Sequence, residues 1–152
     1  SALAALGELG ITTSTVAARR FGGPGSAVAA ASRLGVTIEQ VLWSNVEAVL
    51  QAARAVDLIV STVPAGVADP LAQCLDVRDG QVLLDVVYSP RNTALRSVFE
   101  AGGGIIAEGI DMLVYQAGAQ VQLMTGRSPD IDVMRTALEE ELERRSREGA
   151  AS

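Results

Sequence analysis

The sequence contains no histidine and no lysine, and all twelve of its cationic residues are arginine. The lack of histidine excludes imidazole catalysis and most zinc sites, and the lack of lysine excludes a Schiff base or a lysine general acid. The single cysteine, Cys74, cannot form a disulfide within the chain, which favours a reducing, cytoplasmic location. Aromatic residues make up only 3% of the chain, so Ala, Val, Leu and Ile must build the core.

Extended basic blocks and long apolar stretches are also absent. The net charge is −6, and the adjacent basic pairs are Arg19-Arg20 and Arg144-Arg145, which argues against a nucleic-acid partner. The longest uncharged stretch, 112–126, contains three glutamines, which argues against a membrane span. The N-terminus does not resemble a signal peptide. A chain of 152 residues with 49% hydrophobic residues can bury roughly 70% of its unfolded surface as one domain.

Apolar periodicity and turn residues predict strands that alternate with helices. Strands are predicted at 11–18, 57–62, 81–87 and 105–107, and helices at 1–9, 26–34, 45–55, 93–101, 110–125 and 131–147. This order predicts an α/β fold with βαβ units and a three-layer, Rossmann-like parallel sheet. Ligands of such sheets bind beyond the carboxyl ends of the strands, so residues at those ends are the candidates for function.

Arg19 and Arg20 directly follow the first predicted strand, and no Asp or Glu occurs in 16–21. In dinucleotide-binding folds an acidic residue at this strand end holds the ribose 2′-hydroxyl, whereas an arginine suits the 2′-phosphate of NADP. Two solvated surface arginines are the alternative interpretation.

Further polar candidates occur at the ends of the later strands and on the predicted helix 110–125. Ser61, Thr62 and the neighbouring Val63 can offer hydroxyls and backbone amides to a ribose or phosphate, or can simply end a strand before a Pro-Gly turn. Tyr88 can give its hydroxyl to a polar substrate or to a partner inside the protein. Gln116 either faces a ligand or lies on the solvent-exposed face of its helix. For Asp85, a structural bond to a backbone amide is at least as reasonable as catalysis.

The phosphate-binding loop of a dinucleotide fold, with the pattern G-x-G-x-x-G between a strand and a helix, is missing. Glycines at 22–25 have the wrong spacing, and those at 102–104 follow a helix instead of a strand. The loop is expected immediately before the helix that starts at Ser1. The simplest interpretation is that the first strand and its loop precede this sequence.

Taken together, these residues resemble the C-terminal, NADP-binding part of the shikimate dehydrogenase family. Ala18-Arg19-Arg20 is similar to the family's Asn-Arg-Thr/Ser, and the residues from Ser61 to Val67 are similar to Asn-Thr-Thr-Pro-x-Gly-Met. The segment from Asp85 to Leu95 resembles Asp-x-x-Tyr-x-Pro-x-x-Thr-x-Leu. The segment from Glu108 to Ala117 resembles Asp-Gly-x-x-Met-Leu-x-x-Gln-Ala. The blocks occur in family order over nearly the whole chain.

The resemblance implies an oxidoreductase of aromatic amino acid (chorismate) biosynthesis, which moves a hydride between NADPH and 3-dehydroshikimate to give shikimate. It also implies roles for individual residues. Arg19 would hold the 2′-phosphate with help from Arg20. The adenosine side would be lined by Ser61, Thr62 and Val63, the nicotinamide by Val87 and Gly109, and the cofactor–substrate junction by Met112. Tyr88 and Gln116 would contact the substrate.

Several departures from the family pattern bear on these roles. The family's catalytic Lys and Asp lie in an N-terminal substrate domain that these residues do not include, so the resemblance assigns no catalytic residue here and implies no turnover by 1–152 alone. The region 110–147 would form helices that bridge to that domain. Ala18 replaces Asn, and Asp111 adds a charge beside Met112.

Other functions stay open at this stage. They are a quinate/shikimate-type dehydrogenase and a nucleotide-binding module without catalysis. A homodimer is compatible with the resemblance, but the sequence does not determine it.

Overall fold

The computed structural model describes residues 2–89 and 92–150, and the chain divides into two compact units. One unit contains the residues up to Asp57 together with Cys74–Asp76, and the other contains Leu58–Gln73 and the residues from Val77 onward. Each unit has its own parallel sheet. The predicted α/β class with parallel strands and alternating helices is therefore confirmed. Tyr88-Ser89-Pro90 is typical of a turn, and its Pro90 lies outside the described residues.

The first unit alternates three helices with two strands. In chain order these are α1 (Ala2–Glu8), β1 (Thr13–Ala18), α2 (Ala27–Leu34), β2 (Thr37–Leu42) and α3 (Val46–Ala55). The two strands pair in parallel, with Ala18 opposite Leu42 at their carboxyl ends. The backbone amide of Trp43 donates to the carbonyl of Ala18 over 2.9 Å, so the pairing continues to the point where Arg19 leaves the strand.

Local signals placed the helices of this unit correctly. Ser26 caps α2 by accepting from the amide of Ala29, and Gly35 ends that helix with a left-handed φ of 67°. Asn45 caps α3 by accepting from the amide of Ala48. The sequence interpretation missed β2, because its short, weakly apolar segment becomes a strand through pairing with the distant β1.

The second unit contains three strands and four helices. In chain order these are β3 (Leu58–Ser61), α4 (Asp69–Ala72), β4 (Val82–Asp85), α5 (Ala94–Ala101), β5 (Ile105–Glu108), α6 (Gly109–Thr125) and α7 (Ile131–Ala150). The strand order is β3-β4-β5, and all neighbours are parallel. The register aligns Ser61, Asp85 and Glu108 in one row at the carboxyl ends. This row is the edge at which ligands of parallel sheets bind.

The core of the second unit forms where α5 and α6 pack on the sheet. Leu83 of β4 and Phe99 of α5 are completely buried, and Ile110 of α6 is 2% exposed. A Cβ at Gly104 would lie 2.7 Å from the Phe99 ring, so this glycine lets the chain between α5 and β5 pass close to the ring. No helix in the described part of the chain is long and apolar enough to cross a bilayer.

Helix α7 carries a solvated face of ion pairs. Glu141 bonds Arg145 at 2.6 Å, as the i,i+4 spacing predicts, and it also bonds Arg144 at 2.8 Å. Arg144 further contacts Glu148 at 2.6 Å. Hydrogen bonds from Arg144 and then Arg145 lower the pKa of Glu141 to about 2.

We expect Glu141 to titrate well below the ordinary value of 4.5 for a glutamate. Since its pKa is lower in the folded state, its contribution to helix stability is present above about pH 4.5 and is lost as the pH falls toward about 2. The side-chain carboxyl shift of Glu141, followed by NMR against pH, measures this directly. Arg144→Gln should move the midpoint upward, and high salt should shrink the shift because the pair is exposed. A midpoint unmoved by Arg144→Gln would contradict the assignment of the partner.

Candidate functional site

A pocket in the second unit lies at the carboxyl ends of β4 and β5. Val87, Tyr88, Gly109 and Glu108 contribute to its lining, together with Thr93 and Arg96 from the start of α5. The structure therefore brings together three of the predicted site residues, Val87, Tyr88 and Gly109. Tyr88 is 43% exposed, so its side chain is accessible from solvent at the rim of the pocket.

Asp85, the last residue of β4, anchors the segment that carries Val87 and Tyr88. Its side chain is buried, with one carboxylate oxygen accepting from the amide of Val87 over 3.2 Å. The other oxygen accepts from the hydroxyl of Thr93 over 2.9 Å. Both contacts satisfy a buried carboxylate within the fold. These bonds support a structural role for Asp85.

The start of α5 is tied to the end of β5 by Arg96. Its guanidinium makes two contacts with the Glu108 carboxylate, at 2.8 and 2.9 Å, and one with Glu100 at 2.8 Å. Donation to the Glu108 carboxylate raises the pKa of Arg96, burial acts in the opposite direction, and donation to Glu100 raises the pKa further. Thr93 caps the same helix by accepting from the amide of Arg96 over 3.2 Å. Local sequence patterns do not indicate the pairing of Arg96 with Glu108, because the two residues are twelve positions apart on different elements.

Gly109 begins α6 immediately after Glu108, and it is buried. A Cβ built on it would lie 2.5 Å from the carbonyl oxygen of Asp85 and 3.3 Å from the Cα of Val86. Contacts under 3.0 Å do not occur for real Cβ atoms. The family resemblance places this glycine beside the nicotinamide, where the lack of a Cβ leaves space for the ring. The structure gives a further reason, which is that α6 must start against the backbone at the end of β4.

Helix α6 carries the remaining candidates of this unit. Met112 is half-buried and Gln116 is exposed, and their i,i+4 spacing places them on one side of the helix. Asp111, whose charge was an open question, forms an ion pair with Arg135 of α7. This contact engages the Asp111 carboxylate in the packing of α6 with α7.

At the carboxyl end of β3, the three candidates Ser61, Thr62 and Val63 differ in accessibility. Ser61 is 8% exposed, and its carbonyl accepts from the amide of Val86 over 3.0 Å. Thr62 is exposed and Val63 is half-buried. The Thr62 hydroxyl is thus the most accessible polar group of the three for a ligand.

In the first unit, Arg19 and Arg20 follow the end of β1, and both are exposed. Together with Ala18 they line an open concave surface. Within residues 2–89 and 92–150, neither guanidinium takes part in an ion pair. Two adjacent cations without an internal counter-ion suit a doubly charged phosphate. Among the described residues there is no group of three or more side chains that could hold a metal ion.

Parallel strands that alternate with helices, and candidate ligand residues at their carboxyl ends, define the chain as a Rossmann-like α/β protein. The profile described as the Shikimate 5′-dehydrogenase C-terminal domain matches residues 109–139. The chain belongs to the shikimate dehydrogenase family.

Individual relatives agree with this assignment. A shikimate dehydrogenase (NADP(+)) of Methanothermobacter thermautotrophicus is 32% identical over 107 residues, which are 67% of this chain and 38% of that protein. The crystal structure of a shikimate 5-dehydrogenase from Mycobacterium fortuitum has a TM-score of 0.76 at 35% identity and covers 90% of this chain and 50% of that one. Quinate dehydrogenase from Corynebacterium glutamicum in complex with NAD has a TM-score of 0.60 at 26% identity, over 90% of this chain and 59% of that one. The chain thus spans between about two fifths and three fifths of these relatives.

Proposed function

We propose that the protein that contains this chain is an NADP-dependent shikimate dehydrogenase, which reduces 3-dehydroshikimate to shikimate. The observation that carries the proposal is the position of the family match. The matched segment begins at Gly109, the residue packed against the end of β4, and it continues through Met112 and Gln116. The match therefore starts at the pocket, whose lining it shares at Gly109 and Ile110, and runs on through the helices that carry two further candidate residues.

The residues at the end of β1 in the first unit are suited to binding NADP. Arg19 and Arg20 are exposed and have no carboxylate partner in the described ranges, and residues 16–21 include no acidic side chain to bind a free 2′-hydroxyl. Arg19 is proposed to bind the 2′-phosphate with Arg20 beside it. In the second unit, Ser61, Thr62 and Val63 are proposed for the adenosine side. The name of the Methanothermobacter relative includes the same cofactor.

The nicotinamide end of the cofactor is assigned to the carboxyl edge of β4 and β5, beside the small pocket of the second unit. Val87 and Gly109 would lie near the ring, and Met112 at its junction with substrate. When bound, NADPH supplies the hydride to the carbonyl carbon of 3-dehydroshikimate. Tyr88 and Gln116 would bind and orient the substrate through neutral hydrogen bonds. No lysine or histidine occurs in this chain, so these residues are assigned binding and orientation and not proton transfer.

The region 110–147 is proposed to bridge to a substrate-binding domain elsewhere in the protein. Large apolar side chains on α6 support this, since Tyr115 is 60% exposed, Leu123 87% and Met124 86%. Side chains of this size on one helix are typical of a surface that another domain covers. The proposal also places the enzyme in the cytoplasm without a nucleic-acid or membrane partner, and gel filtration will show whether it is a homodimer.

The function is tested with the protein expressed from its complete reading frame. Shikimate and NADP should give an increase in NADPH absorbance, and the reverse reaction should consume NADPH with 3-dehydroshikimate. Quinate and NAD are the matched alternatives, since the Corynebacterium relative is a quinate dehydrogenase in complex with NAD. If kcat/KM is higher for quinate with NAD than for shikimate with NADP, the protein is a quinate dehydrogenase instead. NADP binding without turnover of either substrate would indicate a nucleotide-binding module.

Gln116→Ala should lower kcat/KM for shikimate while KM for NADP stays nearly unchanged. The variant removes one neutral hydrogen bond to substrate, which corresponds to about 0.5–1.5 kcal/mol. Gln122→Ala is the control, since this exposed glutamine lies on the same helix but six positions further on, facing a different direction. Wild-type kinetics in a folded Gln116→Ala protein would remove Gln116 from the substrate site.

A further inference from the structure

The ends of β4 and β5 present two carboxylates side by side. Asp85 and Glu108 are register partners in adjacent parallel strands. Like charges in neighbouring positions of a sheet repel each other unless other groups compensate them. Two side chains at the start of α5 contribute to this compensation. Thr93 donates to Asp85 over 2.9 Å, and Arg96 contacts both oxygens of Glu108 at 2.8 and 2.9 Å.

These bonds connect to both sides of the pocket. The Asp85 carboxylate also accepts from the amide of Val87, so it holds the segment that leads to Tyr88. Glu108 directly precedes Gly109, which starts α6. The Glu108 carboxylate makes no capping bond to the amides of α6, because its oxygens are directed to Arg96. The bonds at the first turn of α5 therefore connect the two segments that line the pocket.

The geometry of the Arg96–Glu108 contact is suited to positioning. A guanidinium that meets both oxygens of a carboxylate fixes direction as well as distance, which a lysine cannot do. The side chains are only 22% and 32% exposed, so solvent screens the contact less than it screens the pairs on α7. The second partner of Arg96, Glu100, is 52% exposed and lies on the same helix. That contact stabilises α5 but does not reach the sheet.

We propose that Arg96 and Glu108 form a positioning clamp that fixes α5 to the end of β5 and so holds Gly109 at its distance from Val87 across the pocket. Neither residue is proposed to touch substrate or cofactor. The catalytic part of this inference rests on the proposed function, because it takes the nicotinamide to bind beside the pocket at the ends of β4 and β5. The clamp itself is a property of the fold and can be measured without any activity.

The kinetic test uses the complete protein and four variants, Arg96→Leu, Arg96→Lys, Glu108→Gln and the control Glu100→Gln. Misplacement of reacting groups by about 1 Å can cost up to about a hundredfold in rate. We expect Arg96→Leu to lower kcat by about tenfold, with binding of 2′,5′-ADP unchanged because the adenosine end does not depend on the clamp. Arg96→Lys should recover only part of this loss, and Glu100→Gln should behave as wild type.

The double variant Arg96→Leu/Glu108→Gln separates a shared contact from two unrelated defects. If both residues act through one contact, the double variant loses no more than the worse single variant. Losses that multiply, an equal loss in Glu100→Gln, or full activity in Arg96→Leu would each overturn the clamp as a determinant of turnover.

Hydrogen exchange distinguishes a failed clamp from a failed function. In Arg96→Leu, amides in 86–89 and 109–112 should exchange faster, whereas those of β1 and β2 should not change. If the protein lacks shikimate dehydrogenase activity but shows this local effect, the clamp is supported and the proposed function is refuted. Unchanged exchange at both segments would refute the clamp whatever the protein catalyses.

Discussion

Replacing Arg19 by alanine is expected to lower the preference for NADP over NAD by about one to two decades in kcat/KM. A charge-assisted contact between arginine and phosphate is worth roughly 1.5–3 kcal/mol, and NAD has no 2′-phosphate with which to form it. The kcat/KM for NAD should therefore change little in the same variant. Steady-state kinetics with each cofactor, on the protein from the complete reading frame, give the ratio directly.

Arg33→Ala is the matched control for this experiment. Arg33 is also exposed, and it lies in the last turn of α2 in the same unit, so the variant makes the same change in net charge away from the end of β1. It should keep the wild-type cofactor ratio. An NADP preference that survives in Arg19→Ala, or one that Arg33→Ala reduces equally, would remove Arg19 from the 2′-phosphate site. If the NADP preference is lost only when Arg20→Ala is combined with Arg19→Ala, both arginines bind the 2′-phosphate.

Gly109→Ala is expected to destabilise the protein by about 1–3 kcal/mol, the usual range for forcing an extra methyl into a packed region. The new Cβ would lie 2.5 Å from the carbonyl oxygen of Asp85. This oxygen belongs to the backbone of β4, so it cannot move aside as a flexible side chain would. The midpoint of urea unfolding should fall with little change in the slope. The variant should also lose activity, since the clash displaces α6 or the end of β4.

Gly22→Ala controls for the general effect of replacing glycine. Nothing lies within 4 Å of a Cβ at Gly22, and its φ is not in the left-handed region. The substitution should be neutral or stabilising by up to about 1 kcal/mol, because alanine has less conformational freedom in the unfolded chain. Equal stability of Gly109→Ala and Gly22→Ala would show that α6 can shift at no cost. The close packing at the end of β4 would then not explain the glycine.

Features that depend on neighbours in sequence were predictable. The caps at Ser26, Asn45 and Thr93 each accept from a backbone amide three residues further on, so residue type and spacing were sufficient to place the starts of the helices. The apolar runs that became β3 and β4 were equally predictable, because a short continuous apolar segment between turn residues is typical of a strand in a parallel sheet. The ion pair of Glu141 with Arg145 follows from helical periodicity alone.

Features that depend on residues distant in sequence were not predictable. Strand β2 was missed because it exists through its pairing with β1. Helix α4 has only four residues and no side-chain cap bond, so it has almost no local signature.

The same division applies to the candidate site. The sequence by itself determined which residues lie at the strand ends or soon after them, because a parallel α/β fold places its ligand residues there. They include Arg19, Ser61, Tyr88 and Gly109. Only the tertiary structure decided what holds them in place. The bonds of Asp85 to Thr93 and of Glu108 to Arg96, and the packing of Gly109 against the end of β4, join separate elements. Such contacts depend on register and packing, which leave no periodic trace in the sequence.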